Sequence, residues 1–305
     1  MKLFTLKDNK IRDIAILPFK LEKEIQAIVE NNLKELFELR FVKSELTIKN
    51  FRIDTLGFDE ETKSFVVIEY KKDRNYSVID QGYTYMSLML NNKSDFILEY
   101  NEICGKNLKR DDVDWSQSRV IFISPHFTEY QKHSVNFRDV PFEIWEIKKY
   151  ENGLIGFVQH KNTSEESVST ISTIENTMVE KVSREVKVYT EDFHLESKKL
   201  NDGIKELYFL LKERIMNLGE INIVPRQQYI GFKRKRNVVD IGFQKGNLVV
   251  WINLKKGKLD DPKGMTRDIS DSLGFGNGDY DIKIYPDSDL DYLMSLINQS
   301  YKNQD

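Results

Sequence analysis

The chain has 305 residues, a formal net charge of -3 and a 40% hydrophobic share that includes 18 Phe and 14 Tyr, which excludes a disordered chain and suits two domains, each with its own core. No apolar run reaches the ~18 residues of a membrane helix, and the opening MKLFTLKDNKIRD lacks the apolar core and cleavage site of a secretory signal. One cysteine, Cys104, excludes an internal disulfide, and with only four scattered histidines it excludes a zinc-finger framework, so the expected setting is the reducing cytoplasm.

In chain order, Lys2 to Leu6 reads as a short strand, followed by a connector ending at Pro18. Leu21 to Leu39 reads as a helix, because Ile25, Ile28, Val29, Leu33, Leu36 and Phe37 recur at helical spacing. Glu22 falls inside that apolar stripe, Glu30 lies at its edge, and Glu24 points away. Phe41 to Ile48 alternates as a strand, and Phe51 to Phe58 follows as its hairpin partner. Asp59 to Thr62 makes a polar turn into a third strand, Phe65 to Lys71.

That third strand is apolar enough to be buried on both faces, yet it carries a carboxylate and an ammonium. Side chains alternate along a strand, so Phe65, Val67, Glu69 and Lys71 share a face. Charges in such a run are costly unless each finds a partner. Asp54 and Glu69 supply the oxygen ligands that a hard cation such as Mg²⁺ takes. Lys71 is placed to orient a water or to neutralise charge growing on a phosphate. A plain buried hairpin with one ion pair, between Lys71 and either Glu69 or Asp54, accounts for the same residues equally well at this point.

Lys71 to Asn75 is a polar, basic stretch. Ser77 or Asn75 is the expected cap of a helix that carries Gln81 and Tyr85 on one face, with Tyr83, Met86, Leu88, Met89 and Leu90 in the core. Asp95 to Tyr100 reads as a strand, 101–117 as a charged loop, and Ser118 to Ser124 as a strand. Pro125 opens a helix reaching Asn136, with His126 and His133 in surface or capping roles. Strands Phe142 to Tyr150 and Leu154 to His160 turn at Asn152-Gly153. Residues 161–190 are rich in Ser, Thr and Glu and read as a linker, with a short helix near Ile171 to Val182.

The remainder reads as a second, α+β domain. Its elements are a helix from Ser197 to Leu218, strands Tyr229 to Phe232, Val238 to Phe243, Leu248 to Leu254 and Tyr280 to Tyr285, and helices Met265 to Leu273 and Ser288 to Tyr301. Lys233 to Arg236 is a basic tract that suits a phosphate or a simple hairpin turn. Gly274 to Gly278 lacks the strand before it and the Lys-Ser/Thr after it that a nucleotide loop needs.

Asp54, a spacer, then Glu69-Tyr70-Lys71 on neighbouring strands resembles the PD-(D/E)XK nuclease superfamily, with Ile53 standing where a Pro usually precedes the Asp. Gln81-Gly82-Tyr83-Thr84-Tyr85 is similar to the Gln-X-X-X-Tyr motif of its RecB-type branch. The resemblance covers residues 1–160. It implies an α/β fold, a restriction-endonuclease-like mixed sheet flanked by helices. The implied activity is metal-dependent hydrolysis of phosphodiester bonds, in DNA above all, in repair, restriction or phage defence. Asp54, Glu69, Lys71, Gln81 and Tyr85 become the expected catalytic residues. Glu22, Asp54 and Glu69 become the expected ligands of Mg²⁺ or Mn²⁺, with Glu30 as the alternative first-helix carboxylate. Nucleic acid is the implied partner and a membrane is not; a homodimer or a defence-system partner protein stays open. A non-cleaving or partner-dependent subunit built on the same fold is the competing expectation. Residues 161–190 then join this domain to an accessory domain at 191–305, which resembles an uncharacterised C-terminal domain that trails such nucleases and brings no activity with it.

Overall fold

The computed structural model describes residues 2–72, 77–168, 177–197, 200–271 and 277–304, and divides into two compact units, Met1–Val188 and Tyr189–Asp305. The first unit begins with strands β1 (Phe4–Lys7), β2 (Lys10–Asp13) and β3 (Ile16–Leu17), then helices α1 (Glu22–Asn31) and α2 (Leu33–Phe37). Strands β4 (Leu39–Ile48), β5 (Phe51–Asp59) and β6 (Ser64–Tyr70) follow, then helices α3 (Val78–Asn91) and α4 (Lys93–Cys104). The unit ends with β7 (Arg119–Ser124), α5 (Glu129–Ser134), β8 (Phe142–Tyr150), β9 (Ile155–His160) and α6 (Thr177–Glu185).

Its main sheet runs β3-β8-β7-β6-β5-β4, with β9 also on β8. The β6-β7 and β7-β8 pairs are parallel and the others antiparallel. Every residue of β6, SFVVIEY, is buried, because helices cover both faces of the parallel centre. On one face Val66, Ile68 and Tyr70 pack with Ile25 and Val29 of α1 and Leu33 of α2. On the other, Phe65 and Val67 join Met86 and Met89 of α3 and Phe96 of α4. The expected α/β class therefore holds: the first unit is a mixed sheet flanked by helices, and the second, smaller unit is α+β.

Several local expectations are corrected. Asp95 to Tyr100 lies inside helix α4, not in a strand; Phe96 and Tyr100, one turn apart, are its buried residues, and Gly105 closes it at φ 58°. The long first helix breaks at Asn32 into α1 and α2. The helix expected from Pro125 starts later, where Thr128 and Gln131 form a capping box. The described part of 161–190 is not a bare linker: Val168, Val179, Val182 and Val186 are buried in the first unit's core, α6 packs on α3, and the first unit continues to Val188; residues 169–176, with the start of the helix expected near Ile171, lie outside the described residues.

The second unit holds α7 (Glu191–Ser197), α8 (Asp202–Met216), β10 (Asn222–Pro225), β11 (Ile230–Lys233), β12 (Asn237–Phe243), β13 (Leu248–Ile252), β14 (Arg267–Asp268), β15 (Tyr280–Ile284) and α9 (Leu290–Lys302). Its antiparallel sheet has the order β10-β11-β12-β13-β15-β14. Leu207, Leu211 and Ile215 of α8 and Leu293 and Ile297 of α9 share a core with Ile241, Val250 and Ile282 of that sheet. The helix expected from Met265 is replaced by the short strand β14, where Arg267 clamps Asp281 through two hydrogen bonds of 2.8 and 2.6 Å; residues 272–276, including most of the Gly274 to Gly278 stretch, lie outside the described residues. The basic tract is the turn between β11 and β12. There Arg234 lies 4.6 Å over the Tyr301 ring, and Gln304 accepts the N–H groups of Lys235 and Arg236.

Candidate active site

Asp54 lies on β5 and Glu69 near the end of β6. Their strands pair through Thr55↔Ile68, and one further step sets Asp54 across from Glu69. The strands part there. Asp54 fills the gap, its Oδ2 accepting the Tyr70 N–H at 3.1 Å. Its carboxyl is pushed up to about 6, first by burial and then by the charge of Glu69. Lys71 acts on it in the opposite sense and lowers it.

Glu69 is 3% exposed and fully satisfied. Its Oε1 accepts from Lys71 Nζ at 2.6 Å and from Gln81 Nε2 at 2.8 Å, and its Oε2 accepts from the Tyr85 hydroxyl at 2.8 Å. Gln81 Nε2 also lies 3.1 Å from the Tyr85 oxygen. The four-residue spacing on α3 thus puts both side chains on one carboxylate. Ser77 caps this helix, its hydroxyl accepting from the Asp80 N–H; Asn75 lies outside the described residues. Gly82 brings the helix close to the sheet, since a Cβ at that position would sit 2.6 Å from Phe142 Cζ. Burial and the Glu69 charge raise the Tyr85 hydroxyl far above its ordinary range, so it remains a donor.

The first-helix carboxylates do not join this group. Glu22 Oε1 accepts the Lys72 N–H at 2.8 Å, and Lys72 Nζ reaches the Lys20 carbonyl at 2.8 Å, so Glu22 fastens the start of α1 to the exit of β6. Glu30 is engaged on the α1 face of the sheet. It accepts from Thr55 Oγ1 at 2.6 Å and Gln26 Nε2 at 2.9 Å, and Thr55 Oγ1 lies 3.0 Å from the Tyr70 hydroxyl. Among the described residues, no group of three His, Cys, Asp or Glu side chains stands ready to hold a metal. The donor set is two carboxylates. It suits Mg²⁺, which takes one or two carboxylates and completes its shell with water and substrate phosphate.

Sequence reading missed the neighbours that shape the rim. Lys71 N–H donates to Ile123 O at 2.9 Å, extending the β6-β7 ladder so that Ser124 lies alongside Lys71, and Ser124 pairs with Glu146 of β8. Glu146 Oε1 accepts the Phe127 N–H, and Lys148, Lys132, His160 and His126 gather around its carboxylate at 3.3, 3.7, 3.2 and 3.8 Å. Burial raises its pKa, but that N–H and the Lys148 charge hold it below the usual carboxylate range. The parallel register of β6, β7 and β8 was the signal that aligns these residues, and one sequence does not display it.

Among the described residues, no helix is long and apolar enough to cross a membrane. Three solved structures show likeness to this chain. A repair endonuclease from Pyrococcus abyssi matches at 22% identity and TM-score 0.22, over 39% of this chain and 44% of that one. An EndoMS-dsDNA complex matches at 14% and 0.28, over 48% and 64%. SfsA from Pyrococcus furiosus with Ca²⁺ matches at 17% and 0.25, over 52% and 75%. The chain thus spans less than two thirds of the first two. Residues 191–304 match a domain of unknown function, DUF5655. A Haemophilus influenzae protein, described as uncharacterized, is 47% identical over 305 residues, which are 99% of this chain and all of that one. This protein belongs to the same family as that Haemophilus influenzae protein.

Proposed function

We propose that the first unit is a metal-dependent nuclease of the PD-(D/E)XK kind, with the Gln-X-X-X-Tyr arrangement of the RecB-type branch, acting on DNA. The observation that supports this reading most is the convergence of Lys71, Gln81 and Tyr85 on Glu69, with Asp54 raised to about 6 beside them. Two neighbouring carboxylates in a largely dry site repel each other, and a divalent cation relieves that repulsion.

Asp54 and Glu69 would hold Mg²⁺ or Mn²⁺. When bound, such an ion supplies positive charge to a scissile phosphate and makes a water more acidic. Lys71 keeps an ammonium at the same spot, where it orients a water or balances charge on the phosphate oxygens. Gln81 and Tyr85 are positioning residues: their donors fix the rotamer of Glu69. Tyr70 does the same for Asp54 through its backbone N–H.

One observation favours a second reading, a non-cleaving nucleic-acid-binding or partner-dependent subunit. Both Glu69 oxygens already have protein donors, so the network is closed without a cation. The two readings separate when purified protein is stripped with EDTA and given Mg²⁺ or Mn²⁺ over single- and double-stranded DNA. The nuclease reading expects cleavage to return with the metal. Binding without cleavage under every metal condition supports the second reading.

A further inference from the structure

The N-terminal hairpin is a two-stranded ribbon whose residues are exposed throughout both strands. Asp8 and Asn9 turn it with φ of 51° and 58°, the geometry of a tight hairpin turn. The register Thr5↔Arg12, Leu6↔Ile11, Lys7↔Lys10 sorts its side chains into two faces. One face carries Lys7, Lys10 and Arg12. The other carries Phe4, Leu6 and Ile11. An isolated two-stranded hairpin is only marginally stable in water.

Its position ties it to the candidate active site. β3 continues from the ribbon and pairs with β8 at Lys149 and Tyr150. β7 has already ended opposite Glu146, so β3 lies about four residues, or ~13 Å, beyond the rim from which Lys71 emerges. The chain then returns past that rim, where Lys72 grips the Lys20 carbonyl. The ribbon is therefore rooted beyond the end of the sheet at which β6 and β7 stop, on the same end as Glu69 and Lys71.

Charge selects the partner. Cations of the main sheet and of α1 are paired, among them Lys23 with Glu45, Arg40 with Glu60, Arg119 with Asp59 and Glu143, and Lys149 with Glu24. Among the described residues, Lys7, Lys10 and Arg12 have no carboxylate within ion-pair distance. Three unpaired cations on one face of a β-ribbon match a phosphate backbone, and a ribbon of this width fits a duplex groove. We infer that this hairpin is a nucleic-acid-binding arm that holds a DNA duplex across the Asp54–Glu69 rim through Lys7, Lys10 and Arg12. The choice of partner rests on the nuclease reading.

The test measures anisotropy of a fluorescent DNA duplex in EDTA, with salt varied from ~50 to ~200 mM. It compares the natural protein with a Lys7→Gln/Lys10→Gln/Arg12→Gln variant and a Leu6→Ser/Ile11→Ser variant, each checked by melting curve and solution mass. The inference expects the triple variant to melt normally and to lose about 2–3 units of log K against log salt slope, with at least about tenfold weaker binding at the higher salt. An unchanged slope overturns it. So does a solution mass that halves in the Leu6/Ile11 variant while the triple variant binds normally, since the hairpin is then a contact between two copies of this chain. If the natural protein cleaves but the slope is unchanged, the arm falls and the nuclease stands. If the slope drops as expected but no metal supports cleavage, the arm stands and the nuclease falls.

Discussion

The Tyr85 hydroxyl donates to Glu69 Oε2 at 2.8 Å while Gln81, one helical turn earlier, donates to Glu69 Oε1 at the same distance. Two side chains of one helix thus fix both oxygens of one buried carboxylate. A hydrogen bond to a charged group contributes about 1.5–3 kcal/mol. Tyr85→Phe should keep the fold and slow cleavage roughly tenfold to a hundredfold, by about 1.4–2.7 kcal/mol. Because both residues hold the same group, Gln81→Ala combined with Tyr85→Phe should cost less than the sum of the single losses. Steady-state rates of the four proteins make the cycle; strict additivity would show that the two donors act separately.

Asp54 should weaken the metal-free protein at neutral pH. Its folded pKa, about 6, lies well above the ordinary range of an aspartate, because burial and the Glu69 charge disfavour the ionised form. An acid whose pKa is raised on folding favours the folded state when protonated, and that stability is lost as pH rises through about 4 to 6. Asp54→Asn avoids the loss and keeps an oxygen for the Tyr70 N–H. In EDTA the variant should match the natural protein near pH 4 and exceed it by about 1–2 kcal/mol at pH 7. Denaturant melts at the two pH values decide; a variant less stable at pH 7 refutes the electrostatic picture.

Gly82 lets α3 lie close against Phe142 of β8. Gly82→Ala places a methyl 2.6 Å from the Phe142 ring, and overpacking of this kind costs about 1–3 kcal/mol. The displaced helix should also pull Gln81 and Tyr85 from Glu69, so cleavage should fall more than the lost stability explains. Unchanged melting and activity would show that the helix has room to spare.

Glu22 should prove dispensable for chemistry. It fastens Lys72, and a glutamine oxygen accepts the same N–H. Glu22→Gln should keep cleavage within about threefold and leave the Mn²⁺ requirement unaltered. A loss comparable to that of Asp54→Ala would restore Glu22 to the ligand set.

What the sequence displayed followed from local physics. The apolar run of β6 with Glu69 inside it, the turn at Asp59 and the four-residue spacing of Gln81 and Tyr85 all act over a few residues. What it hid depends on distant partners. Phe96 and Tyr100 look strand-like until β5 and β6 supply Phe58 and Phe65 for them to pack on from a helix. Val182 sits in a Ser- and Thr-rich stretch whose composition masks its burial against α3. Glu22 has the right helical phase, but its carboxylate is claimed by a backbone N–H fifty residues away.

The most direct test of the central claim is single-turnover cleavage of DNA in Mn²⁺ by the natural protein, Asp54→Ala and Lys71→Ala, with equal folding confirmed by melting curves. The account predicts metal-dependent cleavage by the natural protein and loss of at least about a thousandfold in each variant, roughly 4 kcal/mol of barrier. Cleavage that survives in Asp54→Ala at the natural rate would contradict it.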